Sequence, residues 1–250
     1  MIDLSKVRDR LNSIQNTNSE KDSSLWKPSP GSQVIRIVPY KFNKGFPFIE
    51  LYFHYGINGK TILSPKSFDQ PDPIQEFSEK LKSSGNRDDF QLGMKFNPKM
   101  RIYAPIIVRT EESHGVRFWG FGKMVYQELL SIMNDEDYGD ITDPNTGRDI
   151  VVEYKTAEEL GKSFPETKVR VKPNQSILYE DVKNTERLLD NQKDIKNIFK
   201  VEDYDSIKTM LNDWLNPTQE TEDTKSVEEV LVDTKVQEDA SSAFDELFDK

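Results

Sequence analysis

The sequence predicts an α+β protein, mainly β, with a five-stranded barrel-like core, a helical subdomain and C-terminal helices. Three observations predict it. Short alternating runs follow one another between about residues 26 and 173 without regular crossover helices, which favours a barrel over a parallel α/β sheet. Turn signals rich in Gly, Pro and Asn separate those runs. From 180 to 215 the apolar residues change to a helical period.

Taken in order, residues 3–14 place Leu4, Val7, Leu11 and Ile14 at helical spacing, with Lys6, Arg8 and Arg10 between them. A polar linker follows. QVIRIVPY (33–40) is a strand ended by Pro39, and FPFIELYFHYGI (46–57) is a second, aromatic one. Asn58-Gly59 supplies a hairpin turn. SPKSFDQPDP (64–73) is a loop with three prolines, and 74–84 is a short amphipathic helix. Residues 90–100 suggest irregular strand before a firm strand at 101–109. VRFWGFGK (116–123) is a strand, 124–135 a helix, and 149–156 and 168–173 are further strands. Leu188, Leu189, Ile195, Ile198 and Phe199, then Tyr204, Ile207, Met210, Leu211 and Trp214, give the helical stretch that Pro217 ends. The expected organisation is an arm at 1–25, a core at 26–179, helices packed on it at 180–215, and a disordered acidic tail at 216–250.

Composition narrows the chemistry. The chain has 250 residues, no Cys and two His, so disulfides, thiolate zinc sites and Cys nucleophiles are excluded. The first residues carry no apolar segment of a signal peptide, and no run is long enough to span a membrane; an intracellular protein is expected. Net charge is −10, unevenly spread. Residues 26–125 hold 15 basic and 9 acidic residues, whereas 216–250 hold 3 and 11. That asymmetry points to a nucleic-acid face followed by an acidic tail, though ordinary charge fluctuation can also produce it.

The strongest chemical signal is aromatic residues interleaved with cations: Phe90, Lys95, Phe96, Lys99, Arg101, Tyr103, Arg117, Trp119, Phe121 and Lys123. Alternation along 116–123 puts Arg117, Trp119 and Phe121 on one face and Phe118 on the other. Bases stack on such rings while cations follow phosphates, so the pattern suits single-stranded nucleic acid. Arg36, Lys60 and Phe164 join the candidate DNA-binding set. The alternative is that the rings fill the core and the cations lie at its edge. The acidic stretch 134–149 lacks the EF-hand spacing and fits a solvated helix end and hairpin better than a metal site. His54, between Phe53 and Tyr55, fits a packed residue, and no catalytic Ser motif is present. No enzyme, cofactor or metal is expected. In the tail, Phe244, Leu247 and Phe248 stand at i, i+3 and i+4 among acids, a form suited to docking in a partner's groove.

In order along the chain, Trp26-Lys27 with GSQVIRIVP (31–39), PFIELYFHYG (47–56), RIYAPIIV (101–108), VRFWGFGKMVY (116–126), YGDITDPNTGRDI (138–150) and PNQSIL (173–178) resemble the helix-destabilising single-stranded-DNA-binding proteins of T-even-type phages. The resemblance implies an OB-like core and cooperative, sequence-tolerant binding of single-stranded DNA in phage replication, recombination and repair, in the cytoplasm of the infected bacterium. It implies an arm for cooperativity, which Lys6, Arg8 and Arg10 could supply, and an acidic tail that recruits replication and recombination proteins. One departure is plain. The family type carries zinc on one His and three Cys; His54 matches the His, but Ser64, Gln70 and Pro73 stand near the thiol positions. A protein-interaction scaffold or a single-stranded-RNA binder is the alternative, since stacking grooves do not exclude ribose.

Overall fold

The structure, a computed structural model, describes residues 24–216 together with Phe244, Leu247 and Phe248. The expected arm with Lys6, Arg8 and Arg10, and the tail outside those three residues, lie beyond the described residues. The fold is α+β. Its eight strands are β1 (Leu25–Trp26), β2 (Gly31–Ile37), β3 (Ile49–Ile57), β4 (Lys60–Leu63), β5 (Lys99–Val108), β6 (Arg117–Phe121), β7 (Arg148–Lys155) and β8 (Glu166–Gln175). The complete α-helices among the described residues are α1 (Pro73–Ser83), α2 (Arg87–Phe96), α3 (Lys123–Met133), α4 (Ala157–Leu160), α5 (Val182–Asp190), α6 (Ile195–Ile198) and α7 (Tyr204–Leu215).

Two compact units interleave along the chain. One contains the described residues up to Glu50 and Arg101–Ile198; the other contains Leu51–Met100 and the described residues from Phe199 onward. Of the helices after residue 180, α5 and α6 belong to the first unit and α7 to the second.

In the first unit the ladder runs β1-β6-β5-β2-β7-β8. All its pairs are antiparallel except β1 with β6, where Trp26 stands beside Trp119. Among the described residues no ladder joins β8 back to β1, so the strands form an open series. Ile35, Ile37, Ile102, Ile106, Ile150 and Val152 are buried along its central strands. Thr156 and Glu159 form a reciprocal capping box that starts α4, and Gly161, at φ 61°, ends it in the left-handed region.

Arg36 is the main departure from the sequence expectation in this unit. Placed among the DNA contacts, it is instead fully buried. Its Nε donates to Asp149 Oδ1 at 3.1 Å, Nη1 to the Asp143 carbonyl at 3.2 Å, and Nη2 to the Ser176 carbonyl. Arg109 Nε donates to the same Asp149 oxygen at 2.9 Å. A buried guanidinium is costly unless paired and hydrogen-bonded, and this one is both. Gly147 is required beside it, because a Cβ there would overlap both Arg36 and the turn's own carbonyls. The acidic 134–149 stretch has matching local uses: Asp143 Oδ1 accepts from the amides of Asn145 and Thr146, and Asp140 Oδ1 from that of Thr142.

The second unit is a β3–β4 hairpin with helices. Asn58 and Gly59 adopt φ 50° and 65°, as the expected turn requires. Residues 90–96, expected as irregular strand, are helix. Asn86 caps α2 through the Asp88 amide, Asp88 and Asp89 favour its N-terminal end, and Leu92, Gly93 and Phe96 form the buried face. Gly93 lets α2 approach α1 closely, since a Cβ would stand 2.8 Å from the Ser78 carbonyl oxygen; Ser78 Oγ donates to the Gly93 carbonyl at 2.7 Å.

Buried beneath the hairpin, His54, Ser64 and Asp72 form one cluster. His54 Nδ1 bonds the Phe96 carbonyl at 2.8 Å, and Nε2 bonds Asp72 Oδ2 at 2.8 Å. Ser64 Oγ donates to the same carboxylate oxygen, while Asp72 Oδ1 accepts from the amides of Ile74 and Gln75 and so caps α1. Burial pushes the Asp72 carboxyl up, but the His54 bond and charge, the Ser64 hydroxyl and the Gln75 amide together hold it below its ordinary 3.8. The sign follows. A carboxyl depressed in the folded state contributes stability above its unfolded pKa and loses it as pH falls through the folded value. Asp72→Asn should therefore lower stability by about 1–3 kcal/mol near neutral pH, and the difference from wild type should shrink below about pH 4. Urea melts across that range check it; a gap independent of pH would remove Asp72 from the acid response.

Candidate nucleic-acid interface

A cleft of about 620 Å³ opens in the first unit. Its walls come from β1 and the following Lys27 and Pro28, from Arg101 and Tyr103 of β5, from β6 with its continuation to Val125, and from Tyr154 and residues 165–167. The side chains of Arg101, Lys123 and Lys27 are exposed at it and make no ion pair or hydrogen bond among the described residues. Tyr103 stands opposite Gly120 in the β5–β6 register. The position needs glycine, because a Cβ on residue 120 would come within 2.7 Å of the Tyr103 ring. The ring thus lies against bare backbone as part of the cleft wall. Glu166 is the acid in the lining; hydrogen bonds from Lys162 and Lys168 hold its carboxyl below the usual range and offset its charge.

The aromatic interleaving of VRFWGFGK has a different meaning from the one expected. Trp119 is 1% exposed. Its ring meets Trp26 edge-on at 5.8 Å and Phe121 at 4.6 Å. Phe121 is buried too, edge-on to Phe48 at 6.1 Å. Both form the floor and back of the cleft rather than free stacking platforms. Arg117 does not join them: its Nη2 donates to Glu111 Oε2 at 2.6 Å, and it lines a separate, larger cleft of about 850 Å³ in the same unit. In that larger cleft the cations are engaged by protein: Lys193 with Ser24, Arg187 with Asn184, Arg117 with Glu111. Cations already held by protein must give up those bonds to reach a phosphate, so the smaller cleft is the candidate carried forward.

The remaining candidates are dispersed. Phe164 is 77% exposed, next in sequence to the cleft residue Pro165. Lys60, Phe90, Lys95, Phe96 and Lys99 belong to the second unit. There Phe96 is a core residue, 6% exposed and edge-on to Phe77 and Trp214, which removes it from the DNA contacts. Phe90 and Lys95 are exposed on α2, Lys60 is exposed at the hairpin, and Lys99 Nζ lies 6.0 Å from the Tyr55 ring centre. Phe244, Leu247 and Phe248, expected to stand ready for a partner, are packed into the core of their own unit. Sequence reasoning missed Lys27, Tyr154 and Met124 in the cleft, and Lys41, Phe42, Lys44 and Phe46 in an exposed loop of the same unit. KFNKGF carries the same cation–aromatic interleaving that drew attention to 116–123.

His54 and Asp72 already satisfy each other and their neighbours, and no group of three or more His, Cys, Asp or Glu able to hold a metal occurs among the described residues. No helix of the described residues is long and apolar enough to cross a membrane.

A β-rich unit with a cation-edged aromatic cleft has the parts that binding of single-stranded nucleic acid requires. The family model described as gp32 DNA binding protein like matches residues 29–216, three quarters of the chain. The chain belongs to that family, and single-stranded DNA is its ligand. No curated protein matches it.

Proposed function

We propose that the protein coats single-stranded DNA, cooperatively and without strong sequence preference, during phage DNA replication, recombination and repair in the cytoplasm of the infected bacterium. The observation that carries the site is the juxtaposition of Tyr103, seated on Gly120, with the unengaged cations Arg101, Lys123 and Lys27 around one cleft. A base stacks on the Tyr103 ring while the cations follow the phosphates. Phe42, Phe46 and Phe164 are exposed rings of the same unit that can extend the contact. Cooperativity belongs to Lys6, Arg8 and Arg10, and recruitment of replication and recombination proteins to the acidic tail.

Two substitutions separate stacking from charge. Tyr103→Ala should weaken binding to oligo-dT by about 1–3 kcal/mol at every salt concentration. Arg101→Ala and Lys123→Ala should each reduce the slope of log affinity against log salt by about 0.7. Fluorescence titrations at several salt concentrations read both. An unchanged slope in both cation variants would move the phosphate path out of this cleft, and equal losses on oligo-rU would favour a general single-strand binder over a DNA-selective one.

A further inference from the structure

The second unit carries a binding groove of its own. Ile74, Phe77 and Leu81 of α1 and Ile207, Leu211 and Leu215 of α7 form one buried apolar cluster, and the residue that completes it is Phe244. Phe244 is 3% exposed, with its ring 6.1 Å from Phe77 and 4.7 Å from Phe248. Leu247 and Phe248 pack against the same cluster, half-buried. At the edge, the Phe248 ring lies 6.4 Å from Tyr204. Lys208 Nζ stands 4.9 Å over that ring and donates to the Phe248 carbonyl at 3.2 Å.

Three features mark this as recognition rather than ordinary core. The segment is separated from α7 by residues 217–243, a stretch of mostly polar and acidic residues. Its anchors repeat at i, i+3 and i+4, the spacing of an amphipathic helix laid in a groove. Acids flank the anchors in sequence (Asp245, Glu246, Asp249), and a lysine closes the groove. We propose that the α1–α7 groove is an exchangeable docking site for a short acidic segment with aromatic anchors, filled in cis by Phe244, Leu247 and Phe248. A partner that uses Phe244, Leu247 and Phe248 must first draw them out of this groove, so recruitment competes with the internal contact. Tethering gives the internal segment a high effective concentration, which keeps free copies of the same motif out.

A fluorescent peptide with the sequence of residues 240–250 tests this on the full chain. The chain carrying Phe244→Ser, Leu247→Ser and Phe248→Ser has an emptied groove and should bind the peptide at least about tenfold more tightly than wild type. The same peptide with the three serines should bind neither. As a second measure, a protease site placed between 217 and 243 leaves the anchors in position; after cleavage of the folded protein, the labelled peptide should displace the released segment. Equal uptake by wild type and triple variant, or no uptake by either together with no displacement after cleavage, overturns the docking site. Oligo-dT titration of the triple variant runs alongside, so failure of the groove is distinguishable from failure of the DNA cleft.

Discussion

Arg36→Ala should cost about 3–5 kcal/mol of stability, the range for breaking a buried ion pair from one side. The substitution leaves Asp149, 8% exposed, with one of its two close guanidinium partners. It also strips the carbonyls of Asp143 and Ser176 of the donor that ties β2 to the turn before β7 and to the end of β8. For a chain of this length the melting temperature should fall by about 6–20 °C. Arg36→Met fills much of the volume without the charge, and Asp149→Asn removes the stranded carboxylate. The double variant should therefore lose less than the sum of the singles. DNA affinity of the folded fraction should stay near wild type, because Arg36 has no exposed surface to offer a phosphate. An Arg36→Ala protein that melts normally but binds DNA weakly would return Arg36 to the interface.

Arg36 also shows how far local pattern reaches. Alternation along QVIRIVPY identifies a strand correctly, but it assigns the polar position to solvent. β2 is the central strand, paired to both β5 and β7, and the chain supplies an internal anion for its cation. The Asp149 that makes this possible is far along the sequence, and nothing near Arg36 announces it. α2 was hidden for a related reason. Phe90, Leu92 and Phe96 satisfy a two-residue period, whereas only Leu92 and Phe96 share the buried helical face and Phe90 is exposed; the deciding signals are the Asn86 cap and the close approach of Gly93 to α1. The parts that were legible carry their determinants locally: the Asn58-Gly59 turn and the amphipathic helix read at 74–84, which is α1. In the cleft, Arg101, Tyr103 and Lys123 were visible as cations and a ring near strand ends. Lys27 and Tyr154 were not, because only the pairing of β1 with β6 and of β2 with β7 brings their strands into place.

The same pairing decides the role of Trp119. A two-residue period in VRFWGFGK puts Arg117, Trp119 and Phe121 on one face, and an open face of that kind would present Trp119 to a base. β1 instead pairs parallel to β6, sets Trp26 beside Trp119, and leaves the indole 1% exposed. Trp119→Ala should then behave as a core truncation, costing about 3–5 kcal/mol. It removes the edge-on contact with Trp26 and the contact with Phe121 at once, so the back wall of the cleft loses its support. Affinity for oligo-dT should fall as a consequence, but in step with stability. Trp119→Phe keeps an aromatic in the same place and should recover most of both. Tyr103→Ala, at a half-buried position, should show the opposite pattern, with affinity lost and melting nearly unchanged. Paired thermal melts and titrations of the three variants separate the roles. If Trp119→Ala melts like wild type and only DNA binding suffers, the indole is a stacking platform after all, and the wall formed with Trp26 is not what holds the cleft open.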